Sequence, residues 1–252
     1  MSRFLETKGP SSNQLLASIS TEEYSCLVPH LRRISFSRGD AIDDSTGNFA
    51  FAYFPTTCVA SLVCPMADGA TAEVALTGND GLLGTSLYLG GCTNTNRAIV
   101  GISGEAFRMD ARFLRTQFIR GGSFQKVLLR YTSELIAQIS LTAACNRKHT
   151  LEKRFCRWLL LVRDRTRSDE LVMTQEFVAN MLGGRRETVT VAAGHLQDAG
   201  LIQYSRGRLK ILDRKKLEEV VCECYRPVNA DRNQLVDSVD QQYPTVFAKT
   251  RA

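Results

Sequence analysis

The stretch 174–212, TQEFVANMLGGRRETVTVAAGHLQDAGLIQYSRGRLKIL, constrains this chain more than any other. Thr174 with Glu176 two positions later reads as a helix N-cap with a negative charge in the first turn. Phe177, Val178, Met181 and Leu182 then recur at helical spacing, and Gly183-Gly184 ends the run. A second helix is expected over about residues 185–199, with Val189, Ala192, Ala193 and Leu196 as its apolar face. Ala179 and Gly183 are expected to supply the small contact that lets the two helices cross, with Val189 packing from the other side. The pattern predicts a helix-turn-helix whose second helix presents its N-terminal residues to the DNA major groove. Those residues are Arg185, Arg186, Glu187, Thr188 and Thr190. Arginine can bind guanine O6 and N7 together, glutamate can accept from cytosine N4, and threonine can bond phosphate or touch a thymine methyl.

Two helices alone could equally form a hairpin with a solvated basic face. The residues on their C-terminal side decide between the two. Residues 201–204 and 209–212 have strand character, and Ser205-Arg206-Gly207-Arg208 between them reads as a tight turn. Arg206 and Arg208 at its tip make a wing aimed at phosphates. With Thr174 and the five helix residues they complete the expected DNA-binding set.

This stretch resembles the DNA-binding domain of the Crp/Fnr superfamily of bacterial transcription regulators. The family's recognition helix opens with Arg-Glu-Thr-Val, present as Arg186-Glu187-Thr188-Val189. It often carries another arginine two positions later, where this chain has Val191, so the family's consensus operator does not transfer.

Charge follows the motif. Residues 1–146 hold 12 Lys/Arg against 12 Asp/Glu, residues 147–216 hold 16 against 8, and residues 217–252 hold 4 against 6. The basic excess therefore sits in the segment that would meet DNA, and binding is expected to weaken steeply with salt. A chain of 252 residues with 44% hydrophobic content can bury a sizeable core. No apolar run approaches 20 residues and the N-terminus has no signal-peptide core, so a soluble cytoplasmic protein without membrane association is expected.

Upstream, residues 10–34 carry two helix-like pieces, the second with Thr21 as its expected cap. Six short strands come next, at 34–36, 49–54, 58–64, 71–76, 98–102 and 105–109. They are punctuated by Arg38-Gly39-Asp40, Ser45-Thr46-Gly47-Asn48, Ala67-Asp68-Gly69 and Gly78-Asn79-Asp80-Gly81. This spacing predicts a sandwich or jelly roll. The resemblance implies the same: a β-roll of cyclic-nucleotide-binding type. The expected fold is thus α+β, with a β-roll over 12–109, connecting and dimerisation helices over 110–146, a winged helix-turn-helix over 147–225 and a loose tail over 226–252.

In family members that bind a cyclic nucleotide, Gly-Glu-Leu and a later Arg-Ser or Arg-Ala hold the ribose and the cyclic phosphate. The matching positions are Gly81, Leu82, Arg97 and Ala98. Leu82 cannot accept the sugar's hydrogen bond, a loss of roughly 1 to 3 kcal/mol, so cAMP is not the expected effector. A small-molecule effector in the β-roll stays open, as does an Arg97 that serves only an internal ion pair. An iron-sulfur sensor would need an N-terminal cysteine cluster, yet only Cys26 precedes Cys58. Haem would need axial ligands, and His30 is the lone histidine before His149. Thiolate candidates Cys58, Cys64 and Cys92 carry no further signature. Cys222-Glu223-Cys224 is expected to lack the partners of a four-ligand zinc site and to be ordinary packing or, less readily, redox-active. No metal or firm cofactor is expected.

A helix is expected from Asp110 to about Ile119, then, after Gly121-Gly122, a longer one capped by Ser123. Phe124, Leu128, Tyr131, Leu135, Gln138 and Thr142 recur along it at a period near 3.5. By resemblance Phe124, Leu128, Tyr131 and Leu135 would form a coiled-coil-like seam between two copies. Residues 146–150 read as a polar hinge, 151–162 as the first helix of the DNA-binding domain, 163–170 as a charged loop, and 217–225 as a closing helix. The expected function is a homodimeric, sequence-specific transcription regulator on a palindrome, with RNA polymerase as a further partner implied by the resemblance. An architectural or protein-binding dimer with weak nonspecific DNA affinity is the alternative, motivated by Val191. An enzyme is not expected, for the strands hold no histidine and no nucleophile motif or phosphate loop occurs.

Overall fold

The computed structural model describes residues 9–42, 49–67, 71–90 and 96–225. The turn at 45–48, Asp68-Gly69, Cys92 with most of its polar loop, and the expected tail lie outside these.

Two short helices, α1 (Gln14–Ala17) and α2 (Thr21–Leu27), precede six strands. These are β1 (Arg32–Phe36), β2 (Phe51–Pro55), β3 (Val59–Pro65), β4 (Thr71–Thr77), β5 (Arg97–Ile102) and β6 (Gly104–Asp110), with a one-turn helix α3 (Ser86–Leu89) between β4 and β5. The strands pair antiparallel into two three-stranded sheets, β1-β6-β2 and β4-β3-β5, which gives the expected roll. Register places Phe54 opposite Phe107 and Leu62 opposite Ala98. The buried Asn13 amide donates to Pro55 O at 2.9 Å and Gly81 O at 2.8 Å, tying α1 to both sheets' connections.

Helix α4 (Ala111–Arg120) starts on Asp110, whose carboxylate accepts from the Arg112 and Phe113 amides. The chain then turns through Gly121 and Gly122 at positive φ into α5 (Gly122–Lys148). Two expected caps move. Ser20, not Thr21, caps α2, accepting from the Glu23 amide. Ser123 does not cap α5: the Glu23 carboxylate does, accepting from Ser123 N at 3.0 Å and Phe124 N at 2.7 Å. A carboxylate answers the bare amides of a helix start better than a neutral hydroxyl, through charge as well as hydrogen bonding.

The 3.5-residue stripe of α5 is core. Phe124, Leu128, Tyr131 and Leu135 are buried against Leu15, Leu16, Leu82, Phe107 and Met109 of the same chain. The expected dimer seam is thereby corrected: these four side chains have no surface left for a second copy. The large apolar residues that α5 does expose are Leu129 and Ile136.

The C-terminal half comprises α6 (Leu151–Thr166), β7 (Glu170–Val172), α7 (Gln175–Leu182), α8 (Arg186–Asp198), β8 (Ile202–Ser205), β9 (Arg208–Ile211) and α9 (Arg214–Val220), followed by a 3-10 turn at Glu223–Tyr225. The break before it is narrower than expected: α5 runs to Lys148, and Thr150 already caps α6. The segment expected as a charged loop is instead the last turn of α6, then Arg167 in the left-handed region, then β7. β7 joins the wing strands in the order β7-β9-β8. The closing helix sits earlier than expected, at Arg214–Val220.

The two halves share a core. Val59, Val63 and Leu76 of the roll pack with Trp158, Leu159 and Val178 of the C-terminal domain. Polar contacts cross the same boundary: Trp158 Nε1 donates to Glu73 Oε2 at 3.2 Å, and Arg165 pairs with Asp80 at 3.0 Å. Gly101 allows the close approach of Phe177, whose ring carbon would lie 3.1 Å from a Cβ there.

Candidate nucleic-acid interface

Helix α7 begins at Thr174, whose Oγ1 accepts from the Phe177 amide at 3.2 Å, as the sequence predicts. It ends in a Schellman turn: Gly184 N bonds Ala179 O at 2.9 Å and Gly183 N bonds Asn180 O at 3.3 Å, with Gly183 at φ +58°. The two glycines have separate reasons. Gly183 supplies the left-handed conformation and has no tight neighbour, so its expected role as a small helix contact is corrected. Gly184 supplies space, because a Cβ there would collide with Leu151 Cδ1. Arg154 Nη2 donates to Leu182 O and satisfies another carbonyl of the helix end.

Val189, Ala192, Ala193 and Leu196 bury the inner face of α8, as expected. The opposite face is open: Arg185, Arg186, Glu187, Thr188, Thr190 and Val191 are all exposed. No side chain caps α8, so its first amides and positive dipole end face outward beside two arginines. Thr190 Oγ1 is engaged within the motif, 2.8 Å from Gln175 Oε1 and 3.0 Å from Arg186 O, and fastens α8 to the start of α7.

The wing is a two-residue hairpin. Ser205 pairs with Arg208, leaving Arg206 (φ +49°) and Gly207 (φ +75°) as the turn. Positive φ at both positions is the twist-matched geometry of a type I′ turn, where asparagine and glycine are usual. Arginine at the first position is conformationally unfavourable, by roughly 1 to 2 kcal/mol. Arg206 therefore occupies the wing tip at a conformational cost. Tyr204 braces the wing by donating to Met173 O at 3.0 Å. Thr174, Gln175, Glu176, Arg186, Tyr204 and Arg206 line one groove, so the helix motif and the wing tip share a surface with two arginines and one glutamate. Arg208 begins β9 at the wing's base, also exposed.

The four candidate effector positions do not converge. Leu82 is buried and, with Leu83, Leu89, Leu135, Ile136 and Thr132, lines a small cavity of about 220 Å³ between the roll and α5. Gly81 instead packs on the Tyr131 ring, whose hydroxyl donates to Leu82 O at 2.9 Å. Ala98 is buried inside the roll, and Arg97 is half-buried at the start of β5. Neither is among the cavity's lining residues.

One expectation about cysteines is overturned. Cys222 and Cys224 do have partners: Cys145 and His149, one turn apart at the end of α5, meet them at the base of the C-terminal domain. The signal was present in the sequence as a Cys-x-x-x-His pair on a helix. The partners stand 75 and 77 positions away, too far for spacing alone to join them.

The described residues thus build a β-roll joined through one long helix to a winged helix-turn-helix. Residues 153–220 match the family model of the Crp-like helix-turn-helix domain. A Crp/Fnr-family transcriptional regulator from Eubacterium rectale has the same fold, with a TM-score of 0.65 at 17% identity over 86% of this chain and 99% of that one. FixK2 from Bradyrhizobium japonicum gives 0.63 at 16% identity, over 76% of this chain and 98% of that one. The c-di-GMP-responsive global regulator CLP of Xanthomonas campestris gives 0.62 at 13%, over 77% and 100%. No curated protein sequence matches the chain. Residues 153–220 thus form a Crp-like helix-turn-helix domain, and the chain has the fold of these solved regulators. Among the described residues no helix is long and apolar enough to cross a membrane.

Proposed function

We propose that this protein is a sequence-specific, homodimeric transcription regulator that reads a palindromic operator in the cytoplasm. The observation that carries the reading is the exposure of Arg185, Arg186, Glu187, Thr188 and Val191 on α8, with Arg186 and the wing's Arg206 lining one groove. Arg186 and Glu187 suit base edges, while Arg185, Arg206, Arg208 and the hydroxyl of Thr174 suit phosphates. Val191 offers a methyl-bearing surface to a thymine where the family it resembles often carries an arginine. Thr190 acts as a brace rather than a reader.

The exposed face of α5 supports the dimer. Leu129, Ile136 and Ala143 recur every seven residues on its exposed face, with Ser133 and Ser140 between them, a pattern suited to close helix pairing. Two readers related by a two-fold axis would address half-sites about 34 Å apart. The leucine-lined cavity beside that face favours a small apolar effector over a cyclic nucleotide, since Leu82 stands where a sugar acceptor would be needed. That the Xanthomonas regulator of this fold is described as c-di-GMP-responsive supports a sensory role for the roll.

Footprinting on genomic operator fragments tests the reading. Specific protection by the wild type, abolished by Arg186→Ala, is the expected result. Binding that is salt-sensitive yet indifferent to sequence would sink it in favour of an architectural role.

A further inference from the structure

The last turn of α5 sets Cys145 and His149 on one face, four residues apart, and the 3-10 turn after α9 brings Cys222 and Cys224 against them. The three sulfurs and one imidazole nitrogen all lie within 4.8 Å of one another. Cys145 Sγ is 3.6 Å from Cys222 Sγ, and Cys224 Sγ is 3.7 Å from His149 Nδ1. We propose that Cys145, His149, Cys222 and Cys224 bind a single divalent metal ion in tetrahedral geometry, and that the ion is zinc.

Spacing selects a mononuclear site. With metal–sulfur bonds of about 2.3 Å and metal–nitrogen bonds of about 2.0 Å, tetrahedral donors stand roughly 3.5 to 3.8 Å apart. Both direct distances fall at that separation. A four-iron cluster assigns each thiolate to a different iron and holds its ligands farther apart, so this knot of donors is too tight for one. Soft thiolates with an imidazole suit zinc and disfavour magnesium or calcium.

The surroundings are built for the same occupant. Glu223, between the two C-terminal cysteines, places Oε1 3.3 Å from His149 Nε2. A carboxylate there holds the proton on Nε2 and leaves the Nδ1 lone pair facing the sulfurs, the arrangement that orients metal-bound histidines. Three thiolates and a neutral imidazole around a dication leave one net negative charge. The buried guanidinium of Arg157 lies next to it, donating to Cys224 O and to Thr142 Oγ1, each at 3.2 Å. A Cys145–Cys222 disulfide would leave the placement of Cys224, His149 and Glu223 without a purpose.

The position gives the metal a task. Cys145 and His149 belong to the end of α5, while Cys222 and Cys224 close the DNA-binding domain. The ion would bolt the domain to the helix on both sides of the break at His149-Thr150, fixing the angle at which the reader is held.

Full-length protein, isolated under reducing conditions without chelator, should carry about one zinc per chain by plasma mass spectrometry. After chelator treatment, added Co²⁺ should give d–d bands of tetrahedral intensity and sulfur-to-cobalt charge transfer. Cys224→Ser should lose these bands, whereas Cys224→His, which restores a ligand, should keep a shifted set. Glu223→Gln alters a mostly exposed carboxylate and should lower metal affinity about 10- to 100-fold with unchanged circular dichroism. Folded, reduced wild-type protein that holds neither zinc nor cobalt would overturn the proposal. So would a Cys145–Cys222 disulfide in freshly isolated protein, or broad iron–sulfide absorption with acid-labile sulfide.

Discussion

Asp80, in the turn after β4, and Arg165, near the end of α6, meet at 3.0 Å with side chains only 8% and 4% exposed. The pair joins the β-roll to the DNA-binding domain, and Gly78 makes room for it, since a Cβ there would stand 2.8 Å from Arg165 Cβ.

Removing Asp80 takes away the carboxylate that pairs with the buried Arg165 guanidinium. Asp80→Ala should destabilise the protein by about 3 to 5 kcal/mol, whereas Asp80→Leu with Arg165→Met should recover most of that loss. Urea denaturation followed by Trp158, the chain's single tryptophan, reports directly on this boundary. A double variant no more stable than Asp80→Ala would show that the pair's charge, not its burial, is what the boundary requires.

Glu73 makes the same boundary sensitive to pH. Burial pushes its carboxyl up to about 7, against the opposing effects of the Trp158 hydrogen bond and of Arg157 and Arg165. A raised folded-state pKa favours the neutral acid, so its stabilising effect is complete below about pH 4.5 and is lost as pH rises through 7. The loss is on the order of 3 kcal/mol. Glu73→Gln should keep the Trp158 hydrogen bond, melt higher than wild type above pH 7, and flatten the profile between pH 5 and 8. Parallel melting curves for the two proteins across that range would rule this out.

Arg206 sets stability against binding. Arg206→Asn places a turn-favouring residue at φ +49° and should stabilise the protein by about 1 kcal/mol. It should also weaken operator binding and reduce the slope of log affinity against log salt by about 1, through loss of one phosphate contact. Thermal melts and a salt titration of binding read the two effects separately. A variant that gains stability and keeps its salt slope would remove the wing tip from the interface.

Ile136 tests the proposed pairing face. It is 59% exposed, so Ile136→Glu should leave the fold's stability within about 0.5 kcal/mol. A buried glutamate pair on α5 should nonetheless shift the protein to monomer in sedimentation and weaken binding to a full palindrome at least ~10-fold, leaving half-site binding unchanged. Dimers of undiminished affinity would place the seam elsewhere.

The roll and the reader are legible in the sequence because both obey short-range rules. Strand residues alternate between glycine-rich turns, and the α7–α8 motif carries its cap, glycine stop and apolar face within about 25 residues. The sequence misleads where the deciding partner is remote. The stripe of Phe124, Leu128, Tyr131 and Leu135 announces a covered face, but periodicity cannot say whether a chain covers itself or a twin. Ser20 and Thr21 are adjacent hydroxyls of equal capping chemistry, and only backbone geometry separates them. β7 contributes a single buried residue, Leu171, inside a charged stretch, too little pattern to announce a strand. Gathering Cys145 and His149 with Cys222 and Cys224 requires the whole C-terminal domain to be folded between them.

That gathering has a mechanical side. The DNA-binding domain leaves α5 beside Cys145 and comes back to Cys222, 77 positions later, only 3.6 Å away. The chain's return closes the domain at this spot, while the Asp80–Arg165 pair and the core around Trp158 hold the same domain against the roll at others. A domain held at several points tilts only as a unit, so an adjustment where the cysteines meet has to be matched at the Trp158 boundary.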